Sequence, residues 1–365
     1  MKICLITNLA PHYREEIFRL LDSRLECDFV FGDTLNNGIR TFPLTGFRNQ
    51  VTVVKNVQNG QVTLWQKDAL KRLSMPYDLY ILSGDIRCLS TWAFLILAKL
   101  RHKRIWLWAH GWSGRENRVQ KSMKKMFYRM PEGVLLYGDY ARNLMIKNGF
   151  AADKLWVIHN SLAYSQQKAI RENLKKTNIY RARFRNDDPT LIFIGRLTAS
   201  KRLDMILDAM KILRSRKVFC NLVLVGDGPE LDFLKLQIIC NGLENRVWLY
   251  GPCYDEALNA ELIYNADLCV SPGNIGLTAI HVLTYGTPAL THGNFKHQGP
   301  EFEAIQPQVT GDFYEYGSVK SLADWIQAWL GTNANDREQV RQACYEAIDS
   351  AWTPEYQFNV IKEHL

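Results

Sequence analysis

With 365 residues the chain has room for two domains, and 47% hydrophobic against 22% charged residues is the balance of a globular protein with a full core, which excludes disordered and fibrous classes. Its longest apolar run, residues 92–98, is too short to cross a bilayer and stops at Lys99. The formal charge of +8 is local: residues 101–130 hold nine basic side chains and one acid, an excess equal to that of the whole chain, which points to an anionic partner or a membrane surface.

The opening residues, MKICLITNLA, have the lysine and short apolar run of a signal peptide. Asn8 and Pro11-His12-Tyr13-Arg14 follow with no small-residue cleavage site, so a first buried strand over 2–7 is expected instead. The pattern then predicts a helix over 15–21, a strand over 27–31, a polar loop over 33–50, a strand over 51–54 and a short helix over 64–73. A strand over 78–82 ends at Ser83-Gly84-Asp85. A buried helix is expected over 89–100, then a strand over 104–108 running into Ala109-His110-Gly111-Trp112. A basic amphipathic helix over 118–130, a strand over 133–137, a helix over 140–148 and a strand over 155–158 complete the first half. Such alternation is that of a doubly wound parallel sheet.

Residues 165–185 are polar and basic with few apolar anchors, and Asn186-Asp187-Asp188-Pro189 reads as a turn. The domains are therefore drawn as 1–163, a linker over 164–188, a second domain over 189–350, and a C-terminal segment, 351–365, free to return to the first. The second set has strands over 190–194, 221–225 and 247–250, and helices over 202–214, 230–241 and 257–265. A strand over 268–270 and late helices over 321–330 and 338–349 follow. Two alternating α/β domains imply ligand binding in a cleft at the carboxyl ends of their sheets. The eight cysteines are scattered without a CxxC pair, which argues for reduced thiols and against a disulfide framework or a zinc site.

Residues 271–292, SPGNIGLTAIHVLTYGTPALTH, read as turn, helix and strand after a buried strand. A helix that starts at such a turn presents unpaired backbone N–H groups and the positive end of its dipole, a place for a phosphate. The same pattern also serves an ordinary βαβ crossover whose glycines only make tight turns. Upstream, Ile194-Gly195-Arg196-Leu197-Thr198-Ala199-Ser200-Lys201 leaves a strand for a helix. Arg196 and Lys201 suit a diphosphate, since Arg holds two oxygens while Lys acts as a point charge; solvated loop cations are the other reading.

In the helix over 118–130, Val119, Met123, Met126, Phe127 and Met130 lie near one face, with Arg118, Lys121, Lys124, Lys125 and Arg129 over the remainder. A basic helix with apolar bulk can lie on an anionic membrane, with Arg118, Lys121, Lys124 and Lys125 facing it. A packed helix with a solvated basic face is the alternative. Nucleic acid is excluded as a partner, since no recognised binding motif accompanies the charge.

Taken as a set, IGRLTASKRLDMILDAMKIL, LVLVGDGPELDFL, LYGP, ADLCVSPGNIGLTAIHVLTYGTPALTH and TGDFYEYGSVKSLADWI resemble the retaining glycosyltransferase family 4 in order and spacing. The resemblance covers most of residues 190–330. It is looser in the first half, through NLAPHYREEIF, the His110-Gly111 turn and KLWVIHNSL. It implies the GT-B fold, two Rossmann-like doubly wound parallel-sheet domains facing across a cleft. The implied reaction moves a hexosyl group from a UDP- or GDP-type nucleoside diphosphate sugar to a glycan acceptor. The acceptor is expected to be lipid-linked, the setting bacterial surface polysaccharide synthesis, and the outcome retention, with no metal and no cofactor. The expected location is cytoplasmic, peripheral on the inner face of the plasma membrane.

By the same resemblance Arg196 and Lys201 would stabilise the departing diphosphate, and His110 would face the donor sugar as a third catalytic residue, a loop histidine hydrogen-bonded to backbone being the alternative. Gly195, Gly273, Asn274, Ile275, Gly276, Leu277, Thr278 and His281 would line the donor site. Asn160-Ser161 would lie at the domain crossing. His12, Tyr13 and Arg14, after the first strand, would meet the acceptor, a helix-entry loop with solvated side chains being the alternative. The family usually carries two glutamates eight positions apart; here they are Gly273 and His281. The first usually holds the donor sugar and the second the ribose, a role His281 could take with a hydrogen bond. Glu301 and Glu303 could supply a carboxylate or simply belong to a surface loop. A non-catalytic partner of a glycosyltransferase complex and a nucleotide-sugar epimerase are the rival readings.

Overall fold

The computed structural model describes residues 1–35, 39–59, 63–332 and 336–365. Three residues of the loop expected over 33–50, 36–38, lie outside that description. The chain forms two compact units, one of residues 1–163 with 353–365 and the other of residues 164–352.

The first unit is built on β1 (Lys2–Thr7), β2 (Glu26–Gly32), β3 (Val51–Val54), a hairpin of β4 (Asn56–Asn59) and β5 (Thr63–Gln66), then β6 (Leu79–Ser83), β7 (Arg104–Ala109), β8 (Gly133–Leu136) and β9 (Leu155–Val157). Seven of these pair in parallel in the order β3-β2-β1-β6-β7-β8-β9. Their runs of Val, Ile, Leu and Trp are apolar on both sides because both faces of the sheet are covered. Helices Leu89–Leu100, Arg118–Tyr128 and Asp139–Lys147 cover one face through Phe94, Phe127 and Met145. Helices Glu15–Arg24 and Pro354–His364 cover the other through Phe18, Phe358 and Ile361. The last helix starts at Thr353, whose side chain caps the Tyr356 amide. Its Gln357 clips the 159–161 segment, accepting from Ser161 Oγ at 2.7 Å and donating to the His159 carbonyl at 2.9 Å.

Two expectations are corrected here. Residues 64–73 are not one helix: 63–66 pair antiparallel with 56–59, and a 3₁₀ turn over Ala69–Ser74 follows. Trp65, Ala69 and Leu73 have helical spacing, but Gln66 is drawn inward by the Thr7 carbonyl, 3.0 Å from its side-chain amide, and 63–66 stay extended. Helix Leu89–Leu100 is not buried all round, since Leu89, Ile96, Leu97 and Leu100 are exposed.

The second unit holds β10 (Thr190–Ile194), β11 (Asn221–Val225), β12 (Val247–Gly251), β13 (Leu268–Val270), β14 (Ala289–His292) and β15 (Gly311–Tyr314), all parallel, in the order β12-β11-β10-β13-β14-β15. Helices Asp204–Ser215, Leu231–Cys240 and Val319–Thr332 pack on one face around Leu191, Phe193, Leu222 and Leu268. The stretch over 164–188, expected as a linker, carries helices Tyr164–Arg171 and Ile179–Phe184 and belongs to this unit. Arg171 anchors it with two hydrogen bonds to Asp349, at 2.9 and 2.7 Å.

Candidate active site

The strand order of the second sheet reverses between β10 and β13, the point at which such sheets bind ligands beyond their carboxyl ends. Two loops meet there. The one after β10 carries Gly195, Arg196 and Lys201; the one after β13 carries Gly273–Thr278. Thr278 Oγ1 donates to the Ile194 carbonyl at 2.9 Å, and the Gly273 amide donates to the Lys201 carbonyl, also at 2.9 Å. Lys201 Nζ donates to the Asn274 carbonyl and, at 3.2 Å, to that of Ile275. An ammonium has three N–H groups, so one remains for an anion. Burial pulls the Lys201 pKa down, and the charge of buried Glu301 opposes that.

Gly273 has to be glycine. A Cβ at this position would lie 1.9 Å from the Ser200 carbonyl oxygen and 2.8 Å from Lys201 Cα. The departure from the two-glutamate pattern is thus built into the backbone of both loops.

The anion site is narrower than the sequence suggests. The Ile275 amide is already committed to Gln298 Oε1 at 2.9 Å, and Gln298 is held in turn by Thr291 Oγ1 and the His292 carbonyl. Asn274 Oδ1 accepts from the Gly299 amide at 2.9 Å. Gly276, at φ +55°, turns the chain into helix Thr278–Thr284. The amides of Gly276, Leu277 and Thr278 have no protein acceptor among the described residues and form the open end of the site. Arg196 is exposed beside it, its guanidinium making no hydrogen bond or ion pair among the described residues.

His281 does not stand free for a ribose. Its Nε2 lies 3.0 Å from Oε1 of Glu256, the first residue of helix Glu256–Asn265. The same oxygen accepts from Tyr285 OH at 2.7 Å and Gln167 Nε2 at 2.8 Å. With Nε2 turned to this carboxylate, Nδ1 is the ring nitrogen left for a ligand hydroxyl. Burial alone would raise the Glu256 pKa; the bond from His281 and that ring's charge, then the bonds from Tyr285 and Gln167, outweigh it and bring the carboxyl down to about 2.

That depression below the ordinary 4.5 contributes about 3 kcal/mol, complete above pH about 4.5 and lost as pH falls toward 2. Glu256→Gln is therefore expected to lower Tm near neutrality and to flatten its fall on acidification. Thermal denaturation between about pH 6 and about pH 3 checks this; equal acid sensitivity in the two proteins would contradict it.

Residues 175–347 match the family described as glycosyl transferases group 1. Glycogen synthase 2 of Nitrosococcus oceani is 29% identical over 163 residues, 42% of this chain and 33% of its own. The chain spans about half or less of the length of the curated relatives first matched. Among solved structures, Anabaena HepE in complex with UDP superposes with a TM-score of 0.71 at 16% identity, over 100% of this chain and 99% of its own. The lipopolysaccharide outer core galactosyltransferase WaaB gives 0.71 at 14% identity, over the whole of both chains.

The match to glycosyl transferases group 1 extends over just under half of the chain. The chain's fold is GT-B, as the resemblance implies.

The first unit gathers a second cluster at its own strand ends. Arg14 follows β1, packs over the Trp108 and Tyr137 rings at 5.4 and 5.1 Å from their centroids, and donates to Tyr137 OH. The His110 ring lies 4.7 Å from that of Tyr137. Crowding by protein, then the charge of Arg14, pushes the His110 pKa down to about 4 although the ring is exposed, so the imidazole is neutral at physiological pH. Arg14 and His110 therefore come together, whereas His12 turns to the Arg40 carbonyl, 3.2 Å from its Nδ1, with Tyr13 edge-on to it at 5.5 Å.

On the basic helix Arg118 and Lys121 are exposed and Lys125 is half-buried. Lys124, expected on the membrane side, points inward instead: Nζ donates to Glu116 at 2.7 Å and to the Gly111 carbonyl at 2.8 Å. The sequence reading missed Glu256, Gln298 and Tyr137. Tyr137 closes the apolar run after Gly133 and was visible as a strand end. Glu256 and Gln298 act across 25 and 23 residues and have no local signal.

Proposed function

We propose that the chain transfers a hexosyl residue from a nucleoside diphosphate sugar of UDP or GDP type to a glycan carried on a lipid diphosphate. The reaction retains configuration, uses no metal ion, and serves bacterial surface polysaccharide synthesis on the cytoplasmic face of the membrane. The observation that carries this reading is the meeting of two loops beyond β10 and β13, where Lys201 reaches the Asn274 and Ile275 carbonyls and the amides of Gly276–Thr278 stay open; Arg196, on the first of these loops, would complete the anion site. The bond from the sugar to the diphosphate breaks, and these groups take up the charge left on the β-phosphate. That phosphate is then placed to accept the proton of the incoming acceptor hydroxyl. Arg14 and Tyr137 offer a cation and a phenol to the acceptor, a pair suited to sugar hydroxyls and an anionic carrier, and the neutral imidazole of His110 beside them would face the donor sugar. UDP bound to HepE supports the donor class, and the lipopolysaccharide in the name of WaaB supports a glycan on a lipid as the acceptor.

Calorimetric titration of the purified chain with UDP, GDP, ADP and CMP tests the donor site. Selective binding of UDP or GDP is expected. Absence of binding by all four would favour a non-catalytic partner of a glycosyltransferase complex, the reading that the missing glutamates Gly273 and His281 motivate.

A further inference from the structure

The basic helix does not stand alone on its face of the first sheet. Helix Leu89–Leu100 runs beside Arg118–Tyr128, with the Trp92 and Phe127 rings 4.8 Å apart. The outer side of the first helix carries Leu89, Ile96 (50% exposed), Leu97 and Leu100 (72%). The second carries Val119 (68%), Met123 and Met126 (59%), spaced by four and three residues and so on one stripe. Phe127 packs toward Trp92, which puts that stripe on the flank nearer the first helix. Two apolar surfaces on adjacent helices thus face solvent, and exposed apolar residues grouped within a polar rim mark interaction sites.

Charge selects what covers them. Lys99, Arg101, Arg115, Arg118, Lys121 and Arg129 are exposed around the stripes. The one acid between 101 and 130, Glu116, is buried and already engaged by Lys124 and by the Ser113 and Gly114 amides. A rim of one sign repels a second copy of the chain and attracts an anionic lipid surface.

We propose that the outer faces of these two helices form a membrane-docking surface that places Ile96, Leu97, Leu100, Val119, Met123 and Met126 among the acyl chains of an anionic bilayer, with the cations on its headgroups. This deepens, and rests on, the reading of a lipid-linked acceptor. The docking helix is tied to the acceptor end of its own unit, because Lys124 joins it to the Gly111 carbonyl, one residue after His110. Apolar insertion, and not charge alone, holds the protein on the membrane.

The test is sedimentation of the full chain with vesicles of phosphatidylcholine, with and without phosphatidylglycerol. The wild-type chain is expected to bind the anionic vesicles. Ile96→Asp/Leu100→Asp should bind about tenfold more weakly at low and at high salt, with Tm and UDP affinity unchanged. Arg118→Glu/Lys121→Glu should also weaken binding, but the loss should shrink as salt is raised. Wild-type affinity in the aspartate variant would overturn the proposal, as would failure of the wild-type chain to bind any vesicle. A dimer in sedimentation velocity that the aspartates dissolve would overturn it in favour of a second copy. Transfer to a soluble glycan, measured alongside, separates the two readings: transfer without vesicle binding removes the docking surface and leaves the transferase.

Discussion

Gly273→Glu, which inserts the residue the family pattern places at this position, is expected to abolish nucleotide binding and to destabilise the second unit. The obstacle is at the first side-chain atom. A Cβ would sit 1.9 Å from the Ser200 carbonyl oxygen and 2.8 Å from Lys201 Cα, and both are backbone atoms of the facing loop. Neither can swing aside as the end of a flexible side chain would. The loops must separate, which breaks the bond from the Gly273 amide to the Lys201 carbonyl and withdraws Lys201 from the Asn274 and Ile275 carbonyls. Overpacking of this kind costs about 1–3 kcal/mol, or roughly 2–4 °C of Tm per kcal/mol for a unit of this size. Because the clash begins at Cβ, Gly273→Ala should show most of the effect. Thermal denaturation with UDP calorimetry on both variants checks it; a glutamate variant with wild-type Tm and tighter UDP-sugar binding would show that the loops accommodate the side chain.

This position also shows what the sequence could and could not tell. The strands of both sheets and the loops holding Arg196, Lys201 and Gly273–Thr278 were legible, because buried parallel strands are apolar runs and glycine-bearing turns punctuate them. The absence of the two glutamates was equally plain, but its cause was not: a close crossing of two backbones leaves no composition signal. The carboxylate engaging His281 was hidden for a related reason. Glu256 begins a helix 25 residues earlier and reaches the histidine only in the folded chain. Residues 64–73 carry Trp65, Ala69 and Leu73 at helical spacing, and the antiparallel pairing of 63–66 with 56–59 that overrides it lies outside that stretch. Helix Leu89–Leu100 was read as buried because an apolar composition does not say which face has a partner.

Arg196→Ala and Lys201→Ala should both weaken UDP binding, but in different ways. Arg196 is exposed and makes no bond among the described residues, so its removal should shift stability by no more than about 0.5 kcal/mol. What it loses is a charge-assisted contact to the ligand, about 1.5–3 kcal/mol or roughly 10- to 100-fold in affinity. Lys201 spends two of its N–H groups on the opposite loop before any ligand arrives. Its removal should lower Tm as well as affinity, because the loop that aims the Gly276–Thr278 amides loses its tie. Lys201→Arg should not rescue it, since a planar guanidinium cannot replace a compact ammonium between two carbonyls. Salt separates the two cations further: the loss in Arg196→Ala should shrink at high ionic strength, whereas that in Lys201→Ala, whose side chain is half-buried between the loops, should shrink less. Comparison of UDP with UMP gives the sharpest reading. If Arg196 acts on the β-phosphate, its removal weakens UDP and leaves UMP as in the wild type; equal weakening of both would place its contact on the nucleoside or the α-phosphate.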